Sequence, residues 1–180
     1  MKKNVLVISS SLRSGSNSEL LAKAAMDGAV AAGHDVRWLS LKDKKYEFCK
    51  GCLACQNTGK CVIRDDMDDM INLVKDAYAI IVATPVYYYG MSGQLKTFLD
   101  RCNPLYIADY QFREVYLLTT SAEDGEEVYQ TTRGGLQGWI DCFPKASFAG
   151  LVSGGGVNNP KEVTFHPELL KQAYELGTNI

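Results

Sequence analysis

The 180-residue sequence lacks a strong charge of either sign, since 19 Lys and Arg residues nearly balance 21 Asp and Glu residues. This balance leaves no large basic surface for a nucleic-acid backbone. Long hydrophobic runs are also missing. The first apolar run, 5–8, is shorter than the roughly 7–15 apolar residues of a secretory signal, and no run approaches the ~20 residues of a membrane span. We therefore predict a cytoplasmic protein that binds neither nucleic acid nor membrane.

Histidine is scarce, and two glycine-rich nucleotide-binding motifs are absent. Only His34 and His166 are present, and no Ser, His and Asp spacing typical of a hydrolase accompanies them. Neither the G-x-G-x-x-G pattern of dinucleotide sites nor the G-x-x-x-x-G-K-[ST] pattern of P-loop proteins follows the first apolar run. These absences disfavour a hydrolase, a Rossmann NAD site and an NTPase.

Apolar segments alternate with helical patterns along the chain. Short, nearly continuous apolar runs are typical of parallel strands that are covered on both faces. Four such segments occur, at 5–8, 79–83, 115–118 and 148–152, and a weaker pattern predicts a fifth strand at 36–40. The alternation predicts a single α/β domain over residues 1–180. Its core would be a doubly wound, flavodoxin-like sheet of five parallel strands in the order 2-1-3-4-5.

Local patterns predict several helix details. Ser16 begins an S-x-x-E capping box, which predicts a helix N-terminus. The last helix is predicted over 167–176, with Gly177 ending it. Cys102 and Cys142 fall on apolar faces of helical patterns, so we expect both thiols to be buried.

A hydroxyl-rich loop connects the first strand to the first helix. It reads Ser-Ser-Ser-Leu-Arg-Ser-Gly-Ser-Asn-Ser over 9–18. A helix N-terminus offers unpaired backbone N–H groups and a partial positive charge, which favour an anion. Short hydroxyl side chains and one guanidinium suit a lone terminal phosphate. Among phosphate ligands, FMN is the one that fits the predicted sheet.

An aromatic loop follows the third predicted strand. Tyr87, Tyr88 and Tyr89 are adjacent there and lie between Pro85 and Gly90. Aromatic rings stack on planar ligands. The predicted strand order puts the ends of the first and third strands side by side, where open α/β sheets bind ligands. We therefore expect the two loops to hold opposite ends of one FMN molecule.

The two loops resemble the NADPH-dependent FMN reductase family. The resemblance rests on Ser-Leu-Arg-Ser-Gly-Ser-Asn-Ser over 11–18 and on Thr-Pro-Val-Tyr-Tyr-Tyr-Gly-Met-Ser-Gly-Gln-Leu-Lys over 84–96. It implies bound FMN, NAD(P)H as co-substrate, a small acceptor such as a quinone or flavin, and a homodimer or homotetramer. No catalytic side chain is implied, because the cofactor supplies the chemistry. The implied cofactor-binding residues are Ser11, Arg13, Ser16, Asn17 and Ser18 at the phosphate, Pro85, Val86, Tyr87, Tyr88, Tyr89 and Gly90 at the ring, and Thr120 and Ser121 at its other side.

A cysteine-rich insertion occupies 42–64, far above the median loop of about 4–6 residues. Its thiols stand in a C-x2-C-x2-C-x5-C pattern and belong to Cys49, Cys52, Cys55 and Cys61. Four thiolates at such spacing can converge on a [4Fe–4S] cluster. The pattern resembles that of the iron–sulfur flavoproteins, which implies single-electron transfer with FMN and a carrier role between redox proteins. A zinc site, or free or reversibly oxidised thiols in a redox sensor, are the open alternatives.

Overall fold

The computed structural model describes residues 1–180 and forms one central sheet flanked by helices. The strands are β1 (Asn4–Ser9), β2 (Asp35–Ser40), β3 (Ala79–Tyr87), β4 (Gly90–Met91), β5 (Glu114–Thr120) and β6 (Ser147–Gly154). The helices are α1 (Asn17–Ala31), α2 (Ala54–Thr58), α3 (Met67–Asp76), α4 (Gly93–Arg101), α5 (Glu126–Ile140) and α6 (Pro167–Thr178), with short 3-10 helices at Asn103–Ile107 and Glu162–Phe165. None of these helices is long and apolar enough to cross a membrane.

Five strands are parallel and lie in the order β2-β1-β3-β5-β6. Counted without the two-residue β4, this is the order 2-1-3-4-5, so the predicted sheet is confirmed. The short β4, which was not predicted, pairs antiparallel with the end of β3. Register pairing sets Ser9 of β1 beside Ala83 of β3. The loops that follow these two strands therefore begin next to each other.

The strands bury both of their faces, which explains their continuous apolar runs. Leu6, Ile80 and Leu117 point into a core shared with α3, α4 and α5. Their neighbours along the strands point the opposite way, into a second core against α1 and α6. Burying one such side chain fully contributes about 1.5–3 kcal/mol. Two helical layers thus cover both faces of the sheet, and the ends of its strands are left for a ligand.

Helix α6 passes through Gly177 instead of ending there, so that prediction is wrong. A Cβ at Gly177 would lie 1.9 Å from the carbonyl oxygen of Ala25, and one at Gly28 would lie 2.0 Å from that of Tyr174. The two glycines thus let the backbones of α1 and α6 touch. Close helix packing explains this glycine, and helix termination does not.

Of the two cysteines predicted to be buried, one is and one is not. Cys102 is 1% exposed, and burial raises the pKa of its thiol. Cys142 is exposed. Helix α5 ends at Ile140, and the following turn places Phe143 in the core instead. The helix thus ends before Cys142, so this thiol does not lie on the buried face of α5.

We expect Gly177→Ala to lower the free energy of unfolding by about 1–3 kcal/mol, because the new methyl group overpacks the contact with α1. Urea denaturation of the purified protein measures this change. Gly134→Ala is the matched control, since nothing lies within 4 Å of a Cβ built there on α5. That substitution should stabilise the helix by up to about 1 kcal/mol. Equal effects of the two substitutions would contradict the packing explanation.

Candidate functional site

The loop after β1 presents free donors at the start of α1. Ser16 caps the helix, and its Oγ accepts a hydrogen bond from the backbone N–H of Glu19 at 3.2 Å. The backbone N–H groups of Ser16, Asn17 and Ser18 donate to no protein acceptor. The Oγ atoms of Ser16 and Ser18 lie 3.5 Å apart in a buried position. This arrangement fits an anion with several oxygen acceptors.

The side chains of Arg13 and Asn17 are partly used by the protein itself. Arg13 donates from Nη1 to the carbonyl oxygen of Asn158 at 2.9 Å. The amide of Asn17 donates to the carbonyl oxygen of Asn159 at 2.9 Å and accepts from the N–H of Val163 at 3.1 Å. These contacts hold the loop after β6 against the start of α1. The backbone N–H of Asn17, and not its amide, is therefore the group left for a ligand.

A chain of buried hydroxyl groups joins the first loop to the second. Ser92, the N-cap of α4, donates from Oγ to Ser10 Oγ at 2.9 Å. Ser10 Oγ in turn donates to the carbonyl oxygen of Ala83 at 3.1 Å. The N–H of Ser92 donates to Thr84 Oγ1 at 3.1 Å. Because the bonds of Ser92 to Ser10 and of Ser10 to Ala83 cross between the two segments, they fix the loops relative to each other.

The tyrosine loop is a tight hairpin with left-handed backbone. Tyr88 has a φ of 49° and Tyr89 a φ of 63°, and they are the two central residues of the turn between Tyr87 and Gly90. Such turns favour Asn and Gly, and strain of this kind costs about 1–3 kcal/mol per residue. The positive φ angles thus fall on tyrosines and not on Gly90. The hydroxyl of Tyr89 donates to Glu123 at 2.8 Å, which ties the hairpin to the loop after β5.

One cavity of about 120 Å³ lies between the ends of β1, β3, β5 and β6. Its lining combines the two predicted loops with the end of β5 and is formed by Ser11, Arg13, Ser16, Asn17, Ser18, Pro85, Val86, Tyr87, Thr120, Ser121, Ala122, Val157 and Asn158. The predicted residues Tyr88, Tyr89 and Gly90 lie in the adjoining turn, outside this lining. The structure therefore brings together the hydroxyl-rich and tyrosine-rich loops.

Two lining residues, Val157 and Asn158, were not predicted. They follow β6, whose last residue Gly154 pairs with Thr120 of β5. The N–H of Val157 donates to the carbonyl oxygen of Ser121 at 2.9 Å, which turns this loop into the cavity. The available signal was the run of glycines after β6, because a glycine run at the carboxyl end of a parallel strand lets backbone approach a ligand.

The four cysteines of the insertion border a second, narrower hollow. Cys49 and Cys52 are exposed, Cys61 is intermediate and Cys55 is buried. Burial and the nearness of the other three thiols raise the pKa of Cys55. No three Cys, His, Asp or Glu side chains of the chain are placed to share one metal ion. A [4Fe–4S] cluster instead takes one thiolate on each iron, so its ligands need to surround a hollow.

The hollow itself is about 20 Å³, which leaves little free volume between the thiols. A cluster would therefore require the exposed side of the segment, with Cys49 and Cys52, to move outward. The donor set of four thiols fits such a group by its chemistry.

A buried arginine at the base of this hollow was not singled out from the sequence. Arg101 ends α4, is 1% exposed and borders the hollow together with the four cysteines. Its Nη1 and Nη2 donate to the carboxylate of Asp65 at 2.8 and 2.9 Å. The signal was its position three residues after Phe98, on the buried face of the helix. Asp65 is thus the partner of Arg101, and the cysteine segment closes on this ion pair.

The strand order and the cavity at the carboxyl ends of the strands define a flavodoxin-like protein. Solved structures agree on the fold: an NAD(P)H:quinone oxidoreductase from Methanothermobacter marburgensis has a TM-score of 0.80 at 15% identity, covering 99% of this chain and 97% of that one. An FMN-dependent NADH-azoreductase from Bacillus anthracis, in complex with FMN, has a TM-score of 0.72 at 16% identity and covers 99% of each chain.

The model of the NADPH-dependent FMN reductase family matches residues 3–152, and the chain belongs to this family. It is 33% identical to the Bacillus subtilis protein YwqN, named as an NAD(P)H-dependent FMN-containing oxidoreductase, over 96% of this chain and 95% of that protein. It is 40% identical to an iron–sulfur flavoprotein of Methanocaldococcus jannaschii over 61% of this chain and 56% of that protein. The matches to iron–sulfur flavoproteins span about half the length of those relatives.

We expect Tyr88→Asn to raise the free energy of unfolding of the single, monomeric chain by up to about 1 kcal/mol, because Asn tolerates left-handed backbone and the ring, fully exposed within one chain, loses no packing inside that chain. Tyr88→Val should lower that free energy, since a β-branched residue fits this backbone poorly. Urea denaturation of the FMN-free protein compares both variants. A stabilising effect of Tyr88→Val would contradict the assigned turn geometry.

We expect Asp65→Asn to lower the free energy of unfolding by about 3–5 kcal/mol at pH 7, because it leaves the buried charge of Arg101 unpaired. Burial opposes ionisation, but the hydrogen bond from Arg101 holds the pKa of Asp65 below its ordinary value. The carboxylate therefore stabilises the protein fully above its unfolded pKa of about 3.9, and this stabilisation is lost as the pH falls through the lowered folded value.

Urea denaturation between pH 7 and pH 2 measures the free energy of unfolding of the original protein and of Asp65→Asn. The difference between the two should become smaller only at the acid end of this range. Asp100→Asn is the control, because Asp100 pairs with Lys96 on the exposed face of α4, the helix that carries Arg101. Its effect should stay below about 1 kcal/mol. Equal effects of the two substitutions would argue against a buried ion pair.

Proposed function

We propose that this protein is an FMN-dependent NAD(P)H oxidoreductase that passes electrons from NAD(P)H through FMN to a quinone, a flavin or another small acceptor. One observation carries the proposal: a donor-rich loop and a tyrosine-bearing loop border the same cavity at the carboxyl ends of the strands. That is the position at which doubly wound sheets bind ligands.

The phosphate of FMN would lie at the start of α1. The backbone N–H groups of Ser16, Asn17 and Ser18 are free to donate, and the guanidinium of Arg13 borders the same space. The helix dipole adds a partial positive charge at this point. A hydrogen bond to a charged group contributes about 1.5–3 kcal/mol, so loss of one donor should be measurable.

The isoalloxazine ring would lie between Pro85, Val86 and Tyr87 on one side and Thr120 and Ser121 on the other. The first three residues offer apolar and aromatic surface, and the last two offer hydroxyl and backbone groups for the polar edge of a ring. FMN, when bound, accepts a hydride from NAD(P)H and passes electrons to the acceptor. The protein contributes binding and orientation, and we assign no catalytic acid or base.

The test is steady-state oxidation of NADH and of NADPH by the purified protein, with a quinone or free flavin as acceptor. Protein from which FMN has been removed should be inactive, and its activity should return in proportion to the FMN added. Oxidation that is no faster with FMN than without it would refute the proposal. Reduction of the bound flavin by a redox protein, but not by NAD(P)H, would assign an electron carrier instead.

We expect Ser18→Ala to weaken FMN binding by about tenfold or more, because it removes a buried hydroxyl from the cavity lining. Quenching of flavin fluorescence during titration of the FMN-free protein measures the dissociation constant. Ser14→Ala is the matched control, since Ser14 lies exposed in the same loop, contacts Lys42 and does not border the cavity. Equal dissociation constants for the two variants would contradict the proposed position of the phosphate at the start of α1.

We further propose a homodimer or homotetramer in the cytoplasm. Tyr88 supports the assembly, because its ring is fully exposed beside the cavity and a second copy could cover it. The six unpaired cysteines are compatible with a reducing compartment. Light scattering of the eluting protein gives the mass, and a monomer at micromolar concentration would contradict the proposed assembly.

A second candidate function is an electron carrier of the iron–sulfur flavoprotein kind, in which Cys49, Cys52, Cys55 and Cys61 hold a [4Fe–4S] cluster. The four thiols support it because they border one hollow. The test is anaerobic purification followed by iron, sulfide and FMN analysis and an absorption spectrum. About four irons and four sulfides per FMN would support the cluster. Four readily alkylated thiols without iron would instead favour the thiol-sensor alternative.

A further inference from the structure

Arg101 closes the cysteine segment at its base. Besides Asp65, which follows Cys61 in the chain, Nη1 of Arg101 donates to the carbonyl oxygen of Glu47 at 2.6 Å, just before Cys49. The N–H of Glu47 also donates to the carboxylate of Asp65, at 2.9 Å. The two ends of the segment therefore meet at one guanidinium, and the four thiols lie in the loop between them.

One donor of this guanidinium has no acceptor. Nε of Arg101 is buried and makes no hydrogen bond, whereas both Nη atoms are occupied. A buried donor without a partner costs about 1–3 kcal/mol. Arg101 borders the hollow that the four cysteines line. We therefore look for the acceptor of its Nε–H among the groups that line this hollow.

Cys61 borders the same hollow as Arg101 and precedes its ion-pair partner, Asp65, by four residues. Burial lowers the pKa of Arg101, but its hydrogen bonds to Asp65 and the closeness of the Cys61 sulfur raise the pKa overall. The positive charge of Arg101 is balanced by Asp65, so the pair as a whole adds no net charge to the hollow. What Arg101 adds beyond this balance is a directed N–H group.

We propose that Arg101 is the hydrogen-bond donor that the hollow offers to its sulfur ligands, with the Nε–H of Arg101 directed at the sulfur of Cys61. This inference rests on the second candidate function, the [4Fe–4S] cluster. Hydrogen bonds to the sulfur ligands raise the reduction potential of such a cluster, because they stabilise the extra negative charge of the reduced form. Arg101 is thus a positioning residue that sets the potential at which the cluster exchanges electrons with FMN.

The step that this contact favours is the gain of one electron by the oxidised cluster. No covalent bond forms or breaks in the protein, and no proton is taken up. In the test, dithionite supplies the electron and is itself oxidised. The readout is the midpoint potential of the reconstituted holoprotein, followed by electron paramagnetic resonance of the reduced cluster under anaerobic conditions.

The key variant is the double substitution Arg101→Met with Asp65→Asn. It removes the Nε–H donor while keeping the pair neutral, so no buried charge is left alone. The matched control is Arg64→Gln, because Arg64 lies near the hollow but is exposed and pairs only with Asp68 on the surface. Arg101→Lys is the conservative variant, since it keeps the charge and loses the Nε–H.

We expect the double variant to reduce at a lower potential than the original protein. The expected change is at least tenfold in the ratio of reduced to oxidised cluster at a fixed potential, which corresponds to 59 mV for one electron. Arg64→Gln should match the original protein, and Arg101→Lys should shift the potential in the same direction as the double variant, because it also lacks the Nε–H. Thermal unfolding of each holoprotein checks that the fold is retained.

Equal midpoint potentials in the original protein, the double variant and Arg101→Lys would overturn the proposal and leave the iron–sulfur function standing. Should the double variant bind no iron, the potential of Arg101→Lys decides. Absence of iron from the original protein would overturn the proposal together with the carrier function. FMN-dependent oxidation of NAD(P)H, measured on the same sample, tests the first function separately.

Discussion

The parallel pairing of β1 with β3 is the contact on which the candidate site depends. Ser9 and Ala83 are far apart in the chain, yet their strands lie side by side in the sheet. The buried hydroxyl groups of Ser10 and Ser92 then join the two following loops directly. Without this pairing, the hydroxyl-rich loop after β1 and the tyrosine loop after β3 would not border the same cavity.

The candidate site combines strained backbone with unpaired donors, and a rigid frame surrounds it. Two hydrophobic cores cover the two faces of the sheet, and the backbones of α1 and α6 are in direct contact. Against this rigid frame, Tyr88 and Tyr89 adopt left-handed backbone and the start of α1 keeps free N–H groups. A stable frame tolerates such local cost, and a ligand recovers part of it by supplying the missing acceptors.

The cysteine segment is attached in a different way from the rest of the chain. It contains only the short helix α2, and two of its four cysteines, Cys49 and Cys52, are exposed. Tyr46 anchors its start by donating to the carbonyl oxygen of Gln94 at 2.9 Å, and the ion pair of Arg101 with Asp65 closes its base. Buried polar contacts thus take the place of an apolar core, and they act at the point where the thiols come together.

The sequence by itself determined what depends on neighbouring residues. Apolar runs specify buried strands, Ser16 specifies a helix start, and the motifs of the two loops specify the family. The strand order was also predictable, but tertiary structure alone decided several contacts between individual distant groups. It assigned Asp65 to Arg101, brought Val157 and Asn158 into the cavity, exposed Cys142, and used Gly177 for helix contact. Local patterns set backbone conformation, whereas contacts between distant segments are set by the packing of the whole chain.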